Sequence, residues 1–254
     1  MTEKVRVEFE LEMGDQGVRV ALNVPVAPMP ARRMLPVFQG LTQQVLDVAV
    51  AAVERAGEAV SCKAGCGACC RHIVPISMTE ARQIEALVRA MPEPKRSEIR
   101  ARFADAVARL DAAGMLEDVR TLDALPEERH RTLHSRYFAQ RIPCPFLEEE
   151  SCSVHPQRPL ICREYLVTSP PELCRDAPGK ATTVRLSGFV SHAVTTLEGT
   201  NARDSRLALV LALEWSEAHA GDEEKLRPAV EWIDAVLERI SGKPVPAGAG
   251  ATGD

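Results

Sequence analysis

Aromatic side chains are scarce in this 254-residue chain, at 4% of positions, and cysteine is confined to two patches. No apolar run is long enough to cross a bilayer; the most apolar, Leu207 to Leu213, is far too short. Basic residues form no stripe. The 31 Lys and Arg are interspersed with 36 Asp and Glu, for a net charge of −5, which gives no support for a nucleic-acid surface or a polybasic lipid-binding segment. The amino end, Met1-Thr2-Glu3-Lys4-Val5-Arg6-Val7-Glu8, is too charged to be the apolar region of a signal peptide. There is no Gly-rich nucleotide loop and no internal repeat. These absences predict a soluble, cytoplasmic protein with no nucleic-acid or membrane partner.

What is present favours helix. The chain is 45% hydrophobic and rich in Ala, Leu, Val, Arg and Glu, enough for a core without covalent staples. Residues 4–24 are the exception. Val5, Val7, Phe9, Leu11 and Met13 alternate, then Val18, Val20, Leu22 and Val24, with Gly14-Asp15-Gln16-Gly17 between them: a β-hairpin with one buried face. Pro25, Pro28, Pro30 and Pro36 predict an extended connector. Apolar stripes then predict helices over 39–58, 79–90 (with Ser77 or Thr79 as N-cap), 95–112 (ended by Gly114) and 126–140 (begun by Pro126). The stretch 141–180 reads as irregular, with a small hairpin or short helix. A strand over 182–187, a short helix over 188–198 and two helices over 205–219 and 226–240 follow. The expected organisation is a hairpin and connector over 1–36, a helical cysteine-cluster domain over 37–240 with its motif core at 60–176, and a disordered Gly/Ala/Pro-rich tail over 241–254.

The chemistry lies in the cysteines. Cys62, Cys66, Cys69 and Cys70 fall within one short run; Cys144, Cys152, Cys162 and Cys174 return together far downstream. In a reducing cytosol, eight cysteines are not expected to form four structural disulfides. Thiolates gathered together repel one another, so a cluster of them asks for a cation. The spacing Cys62-x3-Cys66-x2-Cys69 lets a loop curl round one centre, with Gly65 and Gly67 freeing its backbone. Downstream, Pro145, Pro156 and Pro159 stiffen the path and reduce the entropy lost on ordering it.

The two blocks together, Cys62…Cys69-Cys70 and then Cys144-Pro145-Phe146-Leu147…Cys152…His155-Pro156…Arg158-Pro159…Cys162-Arg163, resemble the YkgJ-type cysteine-cluster family of zinc- or iron-chelating domains. The resemblance covers roughly residues 60–176. It implies a metal-binding protein, and the clustering makes all eight cysteines its candidate ligands. Zinc takes four ligands in a structural site, so eight thiols supply two closed sites. Neighbouring side chains such as Cys69 and Cys70 usually diverge, which argues against both entering one tetrahedron. A four-iron, four-sulfur cluster is larger and tolerates ligands from distant segments. It is the preferred cofactor, with a zinc or iron ion as the alternative. Lys63, Arg71, Arg163 and Arg175 are the cations nearest in sequence to balance the charge. The family's motif also resembles one in flagellin lysine methylases, so a cluster-dependent protein-modifying enzyme is one alternative, though no catalytic residue stands out. A metal-shaped surface for a protein partner is the other.

Several features carry blander readings. The Cys-x3-Cys-x2-Cys spacing matches the radical-SAM loop, but no run of strand–helix units follows, and Ala68 replaces the aromatic before the last cysteine. His130 and His134 sit four apart without the glutamate of a zinc-protease helix and read as a packed or solvent-edge pair. His72, just past the upstream block, reads as a residue supporting the ligands rather than as a ligand. The predicted fold is mainly α, with helices framing an irregular Cys-rich centre and an N-terminal β-hairpin.

Overall fold

The computed structural model describes residues 4–13, 16–176, 179–197 and 206–242. Strands β1 (Lys4–Met13) and β2 (Gln16–Pro25) pair antiparallel along their whole length, Val5 opposite Val24 and Met13 opposite Gln16. This is the hairpin that the alternation predicts. Its Val24 is buried in a cluster with Met34, Phe38 and Trp232, and Val5 packs against the same cluster.

After β3 (Met29–Pro30), helix α1 runs from Ala31 to Arg55, eight residues ahead of the expected start at 39. Pro36 stands in its second turn, where it forfeits a single bond to the Arg32 carbonyl. Met34, Leu35 and Phe38 extend the buried face of Leu41, Val45 and Leu46 backwards, and that packing outweighs one lost hydrogen bond. Past the upstream cysteines come β4 (Pro75–Ser77) and α2 (Met78–Arg89). Ser77 is the N-cap, in a reciprocal capping box: Glu80 N donates to Ser77 Oγ at 3.1 Å, and Ser77 N donates to Glu80 Oε2 at 3.0 Å.

Helix α3 (Lys95–Ala112) is closed by Gly114, whose φ of 60° is the left-handed form that ends helices. A short α4 (Leu116–Arg120) follows that the periodicity does not reveal, then α5 (Glu127–Ala139), with Pro126 just outside it. The downstream cysteine region holds a two-residue-strand hairpin, β5 (Leu147–Glu148) and β6 (Ser151–Cys152), and two short helices, α6 (Leu160–Glu164) and α7 (Glu172–Asp176). The strand expected over 182–187 amounts to one bridge, Val167 to Thr183, and α8 is Val190–Thr195.

The helix expected over 205–219 is divided. Residues Arg206–Ala208 form β7, Leu209–Leu211 a 3-10 turn, and only Ala212–Ala218 the helix α9. A short run buried on every side has no periodicity to separate strand from helix, and here β7 is claimed by β4, Ile76 opposite Leu207. In the same way β8 (Leu226–Arg227) pairs with β3 and delays α10 to Ala229–Ser241. Gly242 caps α10; the rest of the expected tail lies outside the described residues.

Two cores result. One gathers α1, α8 and α10 around Trp232, whose Nε1 donates to the Met29 carbonyl at 2.8 Å. The other gathers α2 to α5, β4, β7 and α9, with Phe103 edge-on to Phe146 at 5.6 Å. Leu160 belongs to the first core, Phe146 and Val154 to the second. The downstream cysteine segment therefore spans both. Among the described residues, no helix is long and apolar enough to cross a membrane.

Candidate metal centre

The upstream loop earns its shape from successive turns rather than from regular structure. Cys66 N donates to Lys63 O at 3.1 Å, Cys70 N to Gly67 O at 3.0 Å and His72 N to Cys69 O at 3.1 Å. Gly65 takes φ +86°, which side-chain-bearing residues rarely adopt. Gly67 is required for another reason. A Cβ there would lie 2.5 Å from the Glu150 carbonyl oxygen and 2.5 Å from Leu147 Cδ1, because the tip of the β5–β6 hairpin presses directly on it. At that tip Glu149 and Glu150 both have positive φ, and Glu150 is paired with Arg71 of the upstream loop.

The two cysteine blocks are thus tied together by backbone. Cys144 N donates to Cys70 O at 2.7 Å, and Ser61 N donates to Val167 O at 2.8 Å. Val167 N approaches Cys62 Sγ at 3.4 Å, and a ring nitrogen of His72 lies 2.7 Å from the Cys174 carbonyl oxygen. Gly67→Ala is expected to force these blocks apart, destabilising the fold by about 1–3 kcal/mol, the usual cost of overpacking. Thermal melting together with metal analysis checks this; unchanged metal content in a destabilised variant would separate the hairpin contact from the site.

All eight cysteines are free thiols, seven partly buried and Cys174 buried. Their acidities show how they sense one another. Cys69 is pushed up first by donating a hydrogen bond to the Cys70 sulfur, then by burial. Cys144 is pushed up to about 12 by burial, with Cys152 and Cys69 adding to it. Burial also raises Cys162 well above the usual thiol range, helped by Cys144, Cys69, Glu80 and Cys152. In Cys62 and Cys174 burial again leads, followed among the raising causes by Cys69 and other upstream thiols. Tyr165 offsets part of the effect at Cys174 by hydrogen-bonding its sulfur. Cys69 and Cys70 therefore converge, against the expectation that neighbouring side chains diverge. Cys174 likewise joins the upstream thiols, although Pro170 and Pro171 separate it in sequence.

The cation among these thiols is chiefly Arg158, which favours the thiolate at Cys62, Cys69 and Cys152 and whose Nε is buried without a hydrogen-bond partner. Of the cations nearest in sequence, Arg71 faces Glu150 and Cys70, Arg163 faces Cys162, and Arg175 pairs with Asp176. Arg158 was legible only as part of an Arg-Pro motif; its charge matters because the chain folds back over the thiols. The His130 and His134 rings lie tilted against each other with centroids 4.7 Å apart, and burial lowers His134 to about 4, a packed pair as expected.

Thiols as buried and crowded as Cys144 and Cys162 stay protonated on their own. A soft cation reverses that preference, so the donor set suits zinc or iron. Among the described residues, no three His, Cys, Asp or Glu side chains are already arranged round a single metal ion. The convergence is of segments and electrostatic reach, not of a finished coordination sphere.

No curated protein and no solved structure matches the chain. Residues 61–183 match the family model CxxCxxCC, described as "Putative zinc- or iron-chelating domain". The chain has one residue more than that pattern in its first gap, and the left-handed Gly65 sits within it. The segment 61–183, which contains both cysteine blocks, is therefore similar to the same family of domains that the spacing of its cysteines resembles.

Proposed function

We propose that the protein holds an iron–sulfur cluster through thiolates drawn from both cysteine blocks. The observation that supports this most is the link from Cys144 N to Cys70 O, which joins the blocks while Cys69 is felt by thiols of both. An iron–sulfur cluster accepts thiolates from segments far apart in sequence, and Arg158 offsets the charge of the loaded centre. The protein's own residues supply ligands, enclose them and balance charge.

A second reading is two zinc ions. It is favoured by the way the thiols divide: Cys66 acts on Cys62 and both act on Cys174, while Cys152 acts on Cys144 and both act on Cys162, with Cys69 common to both groups. Zinc closes a structural site with four such ligands. Anaerobic purification with metal analysis separates the two. Brown protein with iron and acid-labile sulfide in comparable amounts is expected. Colourless protein with stoichiometric zinc would overturn the cluster and leave the thiolate site intact.

A further inference from the structure

Helix α6, which carries Cys162, is only five residues long and begins after Pro159, which offers no capping side chain. A helix of that length does not hold itself in water, so its position must be imposed from outside. The missing cap comes from a distant residue. Leu160 N, the first amide of α6, donates to Glu80 Oε1 at 2.8 Å. Glu80 is 4% exposed, and its other oxygen accepts from Ser77 N at 3.0 Å and Ser77 Oγ at 2.9 Å. At the far end of α6, Glu164 accepts from Ser191 N at 3.1 Å and from Ser191 Oγ at the start of α8. One buried carboxylate thus caps α2 and α6 together. Because β4 and α2 directly continue the upstream cysteine loop, that carboxylate also fixes α6 relative to it.

We propose that Glu80 is a positioning residue for Cys162, setting its sulfur against the upstream thiols by clamping the first amide of α6. This rests on the reading of Cys162 as a ligand. The charge of Glu80 works in the opposite direction, since a carboxylate near Cys162 disfavours its thiolate. Placement and electrostatics therefore make opposite demands on one substitution. In Glu80→Gln the amide oxygen is drawn to the side with two donors, Ser77 N and Oγ, and its NH2 group is left facing the Leu160 N–H. The cap of α2 survives, the clamp on α6 is broken, and the charge is gone. If charge governed, E80Q would hold metal more tightly; if placement governs, less tightly.

The test uses the full chain, reconstituted anaerobically with Fe2+ and sulfide in one arm and with Zn2+ in the other. Metal retained per chain is measured against rising EDTA. In the arm where the wild-type chain holds metal, E80Q is expected to lose it at least about tenfold more readily, the usual weight of a residue that orients a ligand. S77A, which weakens the cap of α2 but leaves the Glu80–Leu160 bond, should retain metal like wild type while melting earlier. E80Q combined with C162S should be no weaker than C162S alone. Wild-type-like or tighter retention by E80Q, or additive losses in the double variant, would overturn the proposal. Loss of metal by the wild-type chain in both arms would instead bring down the thiolate centre itself.

Discussion

Replacing Cys69 by serine is expected to strip the protein of its metal. Cys69 donates a hydrogen bond to Cys70 and acts on Cys62, Cys144, Cys152, Cys162 and Cys174, so no other thiol is as central. Serine keeps the shape but presents a hard oxygen that is poorly matched to zinc or to iron held by thiolates. Structural zinc sites bind with about 10–16 kcal/mol. One of four ligands then represents about 3 kcal/mol, roughly a hundredfold in affinity. Cys66→Ser, Cys144→Ser and Cys162→Ser should do the same, because the proposed centre draws on both blocks. Cys174→Ser joins them, since its thiol is buried beside the upstream group. Metal content of each variant after anaerobic purification is the measurement. If upstream variants empty only part of the metal and downstream variants the rest, the protein has two independent sites.

Removing the metal is expected to loosen residues 60–76 and 141–176 first, while β7, α9 and α10 keep their amide protection. The two cysteine segments are joined by few backbone bonds and bracket the long excursion through α2 to α5. Closing such a loop costs entropy that grows only slowly with length, so a metal clip between its ends is an efficient constraint. Because the competent arrangement exists only in the folded chain, metal at a thousand times its dissociation constant stabilises by about 4 kcal/mol. Hydrogen exchange on the loaded and chelated forms measures this. Equal exchange of both segments in the two forms would show that the thiols are no structural clip and would favour a redox role.

The pH dependence of the two forms should run in opposite directions. In the metal-free chain the folded Cys144 thiol titrates near 12, above its ordinary value of 9.0, so the native state holds its proton longer than the unfolded one. That contribution is intact below about pH 9 and is lost as pH rises from there towards 12. Metal binding displaces the same protons, so the loaded form holds its metal better as pH rises and releases it on acidification. Melting curves of both forms across this range should diverge.

The hairpin, the amphipathic faces of α2, α3 and α5, and the two cysteine blocks were legible in the sequence because each rests on local chemistry. Alternation, a capping serine, Gly114 and the spacing of Cys62 to Cys70 act within a few residues of themselves. The misjudged elements depended on partners far away. Leu207 is in a strand because Ile76 lies opposite it, and Pro36 is in a helix because Met34 and Phe38 have a core to enter. The site divides in the same way. Composition and spacing alone point to thiolate chemistry, since eight cysteines in two patches have few other uses. That Arg158 rather than a nearer cation sits among them, that Cys174 returns to the upstream group, and that Glu80 caps a helix eighty positions away was decided by tertiary structure. Charge and hydrogen bonding depend on distance in space, and the chain sets that distance only once its two cores have closed around the cysteines.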